Sequence, residues 1–90
     1  MITAYAVPFR VDRSRAPHHY RLINVGHEPI HALRVSLLGS GVMLPVSALR
    51  VAPGGDVTIT VRGRDLPRTA VLVVRWFRPD GEEFLWRVSF

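Results

Sequence analysis

The stretch Thr69–Phe90, reading TAVLVVRWFRPDGEEFLWRVSF, decides how the rest of the chain is read. Two apolar, β-prone runs flank one tight turn, Arg78-Pro79-Asp80-Gly81-Glu82. The first run, Thr69 to Arg78, is apolar on both sides, which suits a central strand. In the second, Glu83 to Phe90, residue types alternate, and Arg75 and Arg87 mark the solvent side. Alternation then places Leu72, Val74, Trp76, Phe84, Trp86, Val88 and Phe90 inward. The Pro79-Asp80-Gly81 linker suits a type I turn followed by a left-handed glycine. The stretch therefore reads as a long β-hairpin, and it holds both tryptophans and three of the four phenylalanines.

Upstream, period-two patterning dominates and no window carries a sustained helical stripe. Ile2 to Val11 reads as a strand with Tyr5, Val7, Phe9 and Val11 on one side. Pro8 cannot donate to a ladder, so that strand belongs at a sheet edge or bends there. A polar connection over residues 12–18 leads to a strand at His19 to Val25. Tyr20, Leu22 and Asn24 face one way, and Arg21, Ile23 and Val25 the other. After a turn containing Gly26 and Pro29, Ile30 to Leu38 alternates Leu33, Val35 and Leu37 with Arg34 and Ser36, a half-buried pattern. Val42 to Val46 and Ser47 to Val51 read as short extended pieces. Ala52-Pro53-Gly54-Gly55 is a turn. Asp56 to Arg62 then alternates Val57, Ile59 and Val61 with Thr58, Thr60 and Arg62. Gly63 to Arg68 reads as a polar loop.

About seven short strands separated by glycine and proline turns, with no helix, predict an all-β, immunoglobulin-like sandwich. The expected partition puts the runs Ile2–Val11, His19–Val25 and Asp56–Arg62 in one sheet. The other sheet takes Ile30–Leu38, Thr69–Arg78 and Glu83–Phe90. A small barrel of OB or SH3 type is the structural alternative.

The chain has 90 residues, is 48% hydrophobic and 21% charged, and contains no cysteine. That composition is globular and fits one domain over 1–90. A chain of this size buries roughly 60–65% of its unfolded surface, enough for one core without disulfides. The apolar run at the N-terminus is too short to span a bilayer and lacks a basic region before it. Met1 is therefore expected to begin a soluble, cytoplasmic protein with no membrane association.

Two turns carry a family resemblance. Tyr20-Arg21-Leu22-Ile23-Asn24-Val25-Gly26 and Val51-Ala52-Pro53-Gly54-Gly55 look like the turns of CARDB-type and fibronectin-III-like bacterial domains. In those families an Asn-x-Gly closes one strand and a Pro-Gly turn precedes a valine-alternating strand. The likeness covers Tyr20 to Arg62. The hairpin from Trp76 to Trp86 has no counterpart in that pattern, and such domains usually sit in longer, often secreted chains. The resemblance implies the immunoglobulin-like fold and, by analogy of fold alone, a recognition role.

No constellation of residues carries catalysis or holds a metal or cofactor. His18-His19 and His27/His31 flank a strand on the order of 20 Å long, so the pairs lie at opposite poles. Two histidines and Glu28 fall short of a tetrahedral site. Asp80, Glu82 and Glu83 cluster at a solvated hairpin tip, where no cleft separates their acidities. The serines form no nucleophile elbow. An enzyme is therefore not expected.

The formal net charge is +5, and all twelve basic residues are arginine. The absence of lysine matches GC-rich codon usage, and charge of this kind bears on association rather than fold. The arginines are scattered, without a basic arm. Arg75-Trp76-Phe77-Arg78 looks like a nucleic-acid platform, but alternation turns Trp76 and Trp86 inward. The outward side of the hairpin sheet is the candidate interaction face: Arg34, Leu38, Val71, Val73, Arg75, Phe77, Leu85 and Arg87. An apolar stripe rimmed by arginine is the composition of interface centres. The alternative is that the 39–51 segment covers it. The expected function is a non-enzymatic protein–protein interaction or self-association module, with a protein partner or a second copy docking on that face or adding at an edge strand. A small basic nucleic-acid-binding β-protein is the competing reading.

Overall fold

The computed structural model describes residues 5–90. It is an all-β sandwich of two antiparallel four-stranded sheets, with eight strands where the sequence predicts about seven. One sheet has the order β1-β2-β6-β4: β1 Phe9–Asp12, β2 His19–Asn24, β6 Asp56–Arg62 and β4 Val42–Met43. The other has the order β5-β3-β7-β8: β5 Val46–Val51, β3 Ile30–Gly39, β7 Ala70–Phe77 and β8 Glu83–Ser89. The expected partition of the six principal runs holds. The 42–51 region adds one strand to each sheet.

The hairpin forms as its sequence dictates. β7 and β8 pair without a register break from Val71↔Ser89 to Phe77↔Glu83. Gly81 has φ 88°, its N–H donates to the oxygen of Arg78, and the Arg78 N–H donates to the oxygen of Glu82. This is the type I turn closed by a left-handed glycine, a conformation that costs glycine nothing.

The core lies between the sheets. Trp76, Leu22, Ile30, Leu33, Ile59, Val61 and Val74 are its most deeply buried apolar residues. Trp76 meets the Phe9 ring edge-on at 5.0 Å and stacks near Phe84 at 5.8 Å. Its indole N–H donates to the Tyr5 hydroxyl at 3.2 Å, so the one polar atom of the largest core side chain is satisfied. Phe84, Trp86 and Phe90 face inward and are half-buried beside this core. Asn24 is wholly buried, and its side chain bonds to Gly26, Glu28 and Val51.

Several expectations are corrected. The predicted strand at Ile2–Val11 shrinks to β1, an edge strand that starts immediately after Pro8. Residues 2–4 lie outside the described part of the chain. Val7 is 43% exposed rather than aligned with Phe9 in the core. Ile23 is buried although it points away from Leu22. The 63–68 loop contains one helical turn, α1 Leu66–Thr69, with proline in its first turn, where a missing N–H does no harm. Leu66 plugs the core there.

β3 also changes face partway along. Its register with β7 shifts between His31 and Arg34, and Ala32 has φ 46°. This bulge lets both Ile30 and Leu33 point inward although they stand three positions apart, an odd offset. At the far end of β3, Gly39 has φ 98°, and a Cβ there would fall 2.1 Å from the Thr69 oxygen. Only glycine fits that crossing.

Candidate interaction face

The outer face of the β5-β3-β7-β8 sheet is built from the ladder registers. Across the sheet, Leu85 lies opposite Arg75, Arg75 opposite Arg34, and Arg34 opposite Ser47. The next row joins Arg87, Val73 and Ser36, and the last joins Ser89, Val71 and Leu38. At the other end, Glu83 pairs with Phe77, Phe77 with His31, and His31 with Arg50. All eight residues singled out from the sequence, Arg34, Leu38, Val71, Val73, Arg75, Phe77, Leu85 and Arg87, therefore share one face.

The 39–51 segment does not cover this face. β4 joins the opposite sheet, and β5 extends the same sheet at its edge. Leu85 remains 64% exposed and Leu38 50%. Val71, Val73 and Phe77 are half-buried by their neighbours. Two further residues belong to the face and escape sequence reasoning. Leu49 is 90% exposed, and Arg50 stands opposite His31. Leu49 shares the outward parity of Ser47, and Arg50 follows from the break in alternation opposite Ala32. A short apolar–polar run such as Val46–Val51 carries no mark of that break.

The charge on this face is uneven. Arg75 pairs with Glu83 at 3.0 Å and lies 5.5 Å above the Phe77 ring. Arg34, Arg50 and Arg87 have no ion pair among the described residues. Arg34 and Arg75, directly opposite in the ladder, are like charges. On the outer face of the other sheet, Arg21 sits 3.5 Å from both Asp12 and Asp56, while Arg10 and Arg62 have no ion pair among the described residues.

Other polar groups are committed to structure. Arg78 bonds to Glu28 at 2.7 Å and lies 4.3 Å over the Tyr5 ring. The Glu28 hydrogen bond holds its guanidinium above its ordinary pKa. The pair fastens the β2–β3 turn to the end of β7. Beside it lies an open groove of about 580 Å³ bordered by Tyr5, Val7, Pro8, Val25 and His27. A second hollow, of about 400 Å³, is lined by Asp12, Ser14, Arg15, His19, Arg21 and Thr58. The Ser14 N–H donates to Asp12 and lowers its carboxyl pKa, and His19 Nδ1 is 3.3 Å from the Thr60 hydroxyl.

Among the described residues, no three His, Cys, Asp or Glu side chains gather as a metal site. No described helix is long and apolar enough to cross a membrane. No family model matches the chain, and no curated protein or solved structure is significantly similar to it.

Proposed function

We propose that this chain is a non-enzymatic interaction module that docks a protein partner on the outer face of the β5-β3-β7-β8 sheet. One observation carries the reading. The face joins exposed Leu38, Leu49 and Leu85 to Arg34, Arg50 and Arg87, which have no ion pair among the described residues. Apolar area surrounded by arginine gains most from a partner that brings both apolar contact and carboxylates, because the guanidinium fork bonds carboxylates in a bidentate way. A second copy of the same face would oppose arginine to arginine, so the partner is a different, acidic surface.

The unpaired arginines also suit a nucleic acid, the competing reading. The aromatic side chains argue against it. Trp76 is buried in the core and Trp86 faces inward, so among the described residues Phe77, with the His31 imidazole opposite it at one end, supplies the aromatic surface of the basic face. Two rings side by side at one end of the face make a poor stacking track for successive bases.

The test compares proteins captured from the host by the native chain and by an Arg34→Glu/Leu38→Ser variant. The expected result is a partner retained by the native chain, lost by the variant, released by added salt and then shown with the purified partner to bind directly. Retention of the same proteins by both chains overturns the face. Oligonucleotide binding at physiological ionic strength, with the steep salt dependence of phosphate contacts, overturns the protein reading in favour of nucleic acid.

A further inference from the structure

Four strands end the two sheets, and three of them are blunted. β1 is four residues long and follows Pro8. β4 is two residues long. β5 follows Pro45 and runs beside the bulged part of β3. β8 is the exception: seven residues, no proline, no register shift. An edge of this kind is a template for another strand unless something covers it.

The direction of its free main-chain groups is fixed by two neighbouring contacts. The Arg78 N–H donates to the Glu82 oxygen, so alternation makes Phe84, Trp86 and Val88 the residues bonded to β7. The N–H and C=O groups of Glu83, Leu85, Arg87 and Ser89 then point away from the sheet. The Ser89 oxygen is met there by the Arg13 guanidinium at 2.8 Å, as that orientation requires. Among the described residues, no strand pairs with this side of β8.

The sequence along that edge, Glu83-Phe84-Leu85-Trp86-Arg87, is complementary to itself when reversed. We propose that β8 pairs antiparallel with β8 of a second copy, about a twofold axis at Leu85. In that register Glu83 stands opposite Arg87 of the second copy, and Arg87 opposite its Glu83. Leu85 meets Leu85 on the outer side. On the inner side, half-buried Phe84 meets half-buried Trp86 in a non-hydrogen-bonded pair, where side chains approach most closely. Three opposed pairs exchange about six main-chain hydrogen bonds. Sliding the second copy so that Trp86 meets Trp86 leaves Glu83 opposite Ser89 and Leu85 opposite Arg87. A further slide in the same direction opposes Arg87 to Arg87. Charge therefore selects the Leu85-centred register. Glu83 already pairs with Arg75 through one carboxylate oxygen and has the other available. This contact shares Leu85 and Arg87 with the docking face proposed above but uses the main-chain edge of β8 and none of β3. Edge pairing leaves the outer face open on both copies and makes it continuous across the dimer.

Sedimentation velocity over a concentration series tests the pairing. The native chain is expected to shift from monomer to dimer as concentration rises. Leu85→Pro removes an outward N–H and no intramolecular ladder bond, so it should abolish the dimer while leaving the far-ultraviolet spectrum folded. Glu83→Arg and Arg87→Glu should each be monomeric, because each opposes like charges. Mixed together they should form a heterodimer, since every charged pair is then matched. A native chain that stays monomeric to its solubility limit overturns the proposal. So does a dimer unaffected by Leu85→Pro, or two single variants that fail to associate on mixing. The outer-face partner is tested separately, through Arg34 and Leu38 of β3, which the edge pairing does not use.

Discussion

The side-chain amide of Asn24, at the end of β2, donates a 3.0 Å hydrogen bond to the main-chain oxygen of Val51, the last residue of β5. It thereby ties one sheet to the other. The same amide donates to Glu28 O at 3.0 Å, and its oxygen accepts the Gly26 N–H at 3.0 Å. The Asn24 main chain meanwhile bonds Gly54 and Gly55 of the β5–β6 turn. One buried residue thus satisfies two turns that lie far apart in sequence. Asn24→Ala leaves these partners unpaired in the interior and should cost about 2–4 kcal/mol. For a chain of this size the melting temperature should fall by roughly 10–30 °C in calorimetry. Asn24→Asp should not rescue, because a carboxylate keeps the acceptor for Gly26 and loses both donors.

Trp76 is the second point on which stability turns. It fills the centre of the sandwich at 1% exposure and donates to Tyr5. In a Trp86→Phe background it becomes the sole indole, and its emission should be blue-shifted and resist acrylamide quenching. Trp76→Ala should cost about 3–5 kcal/mol, the loss of a large buried aromatic, read as a lowered urea midpoint. An emission maximum like that of free tryptophan would contradict the inward orientation of β7.

These two residues also mark how far the sequence could be read. Trp76 was legible because Arg75 and Arg87 fix the parity of the hairpin, and a two-residue period leaves no freedom after that. The strand Asp56–Arg62 was legible to its ends, because its valines and threonines alternate without interruption between a glycine turn and Gly63. Asn24 could be placed inward by the same rule, but its partners Glu28 and Val51 could not, since turn contacts depend on how two sheets meet. The switch at Ala32 was illegible. A left-handed alanine has no sequence signature, and such a residue costs about 1–2 kcal/mol unless its surroundings hold it. Leu66 was missed because one apolar residue in a polar loop has no period to reveal it. The eight face residues were found because they depend on parity alone; Leu49 was missed because the short run Val46–Val51 was not assigned to this sheet, and Arg50 was lost with the bulge.

Asp12 gives the fold a measurable acid dependence. The Ser14 N–H, followed by the Ser14 side chain, lowers its carboxyl pKa, and Arg21 contributes as well. Because the folded value lies below the ordinary aspartate value of about 3.9, the stabilisation is present above that pH. It is lost as pH falls through the depressed folded value. Asp12→Asn should therefore lower stability near neutrality and bring mutant and native curves together in strong acid. Unfolding midpoints of the two proteins that run parallel from pH 7 to pH 2 would show that the Ser14 bond contributes nothing.

Arg34 and Arg75 face each other across β3 and β7, with Glu83 near one of them and no acid near the other. Like charges directly opposite in a ladder destabilise it by about 0.2–1 kcal/mol, and nothing within the sheet offsets this at Arg34. A sequence free of other demands would place an acid or threonine there. Arg34→Glu should accordingly stabilise the isolated chain by about 0.5 kcal/mol, since it converts a repulsion into a cross-strand pair with Arg75. The same substitution should weaken capture of an acidic partner at least tenfold, because a carboxylate then stands where a guanidinium bound one. Stability and binding should therefore move in opposite directions at this position. At Arg21, by contrast, they should not: substitution by glutamate opposes Asp12 and Asp56, costs stability and leaves binding unchanged. Thermal unfolding and partner titration of both variants separate the two cases. If Arg34→Glu loses stability as Arg21→Glu does, the charge on this face is serving the fold, and the docking role assigned to it is wrong.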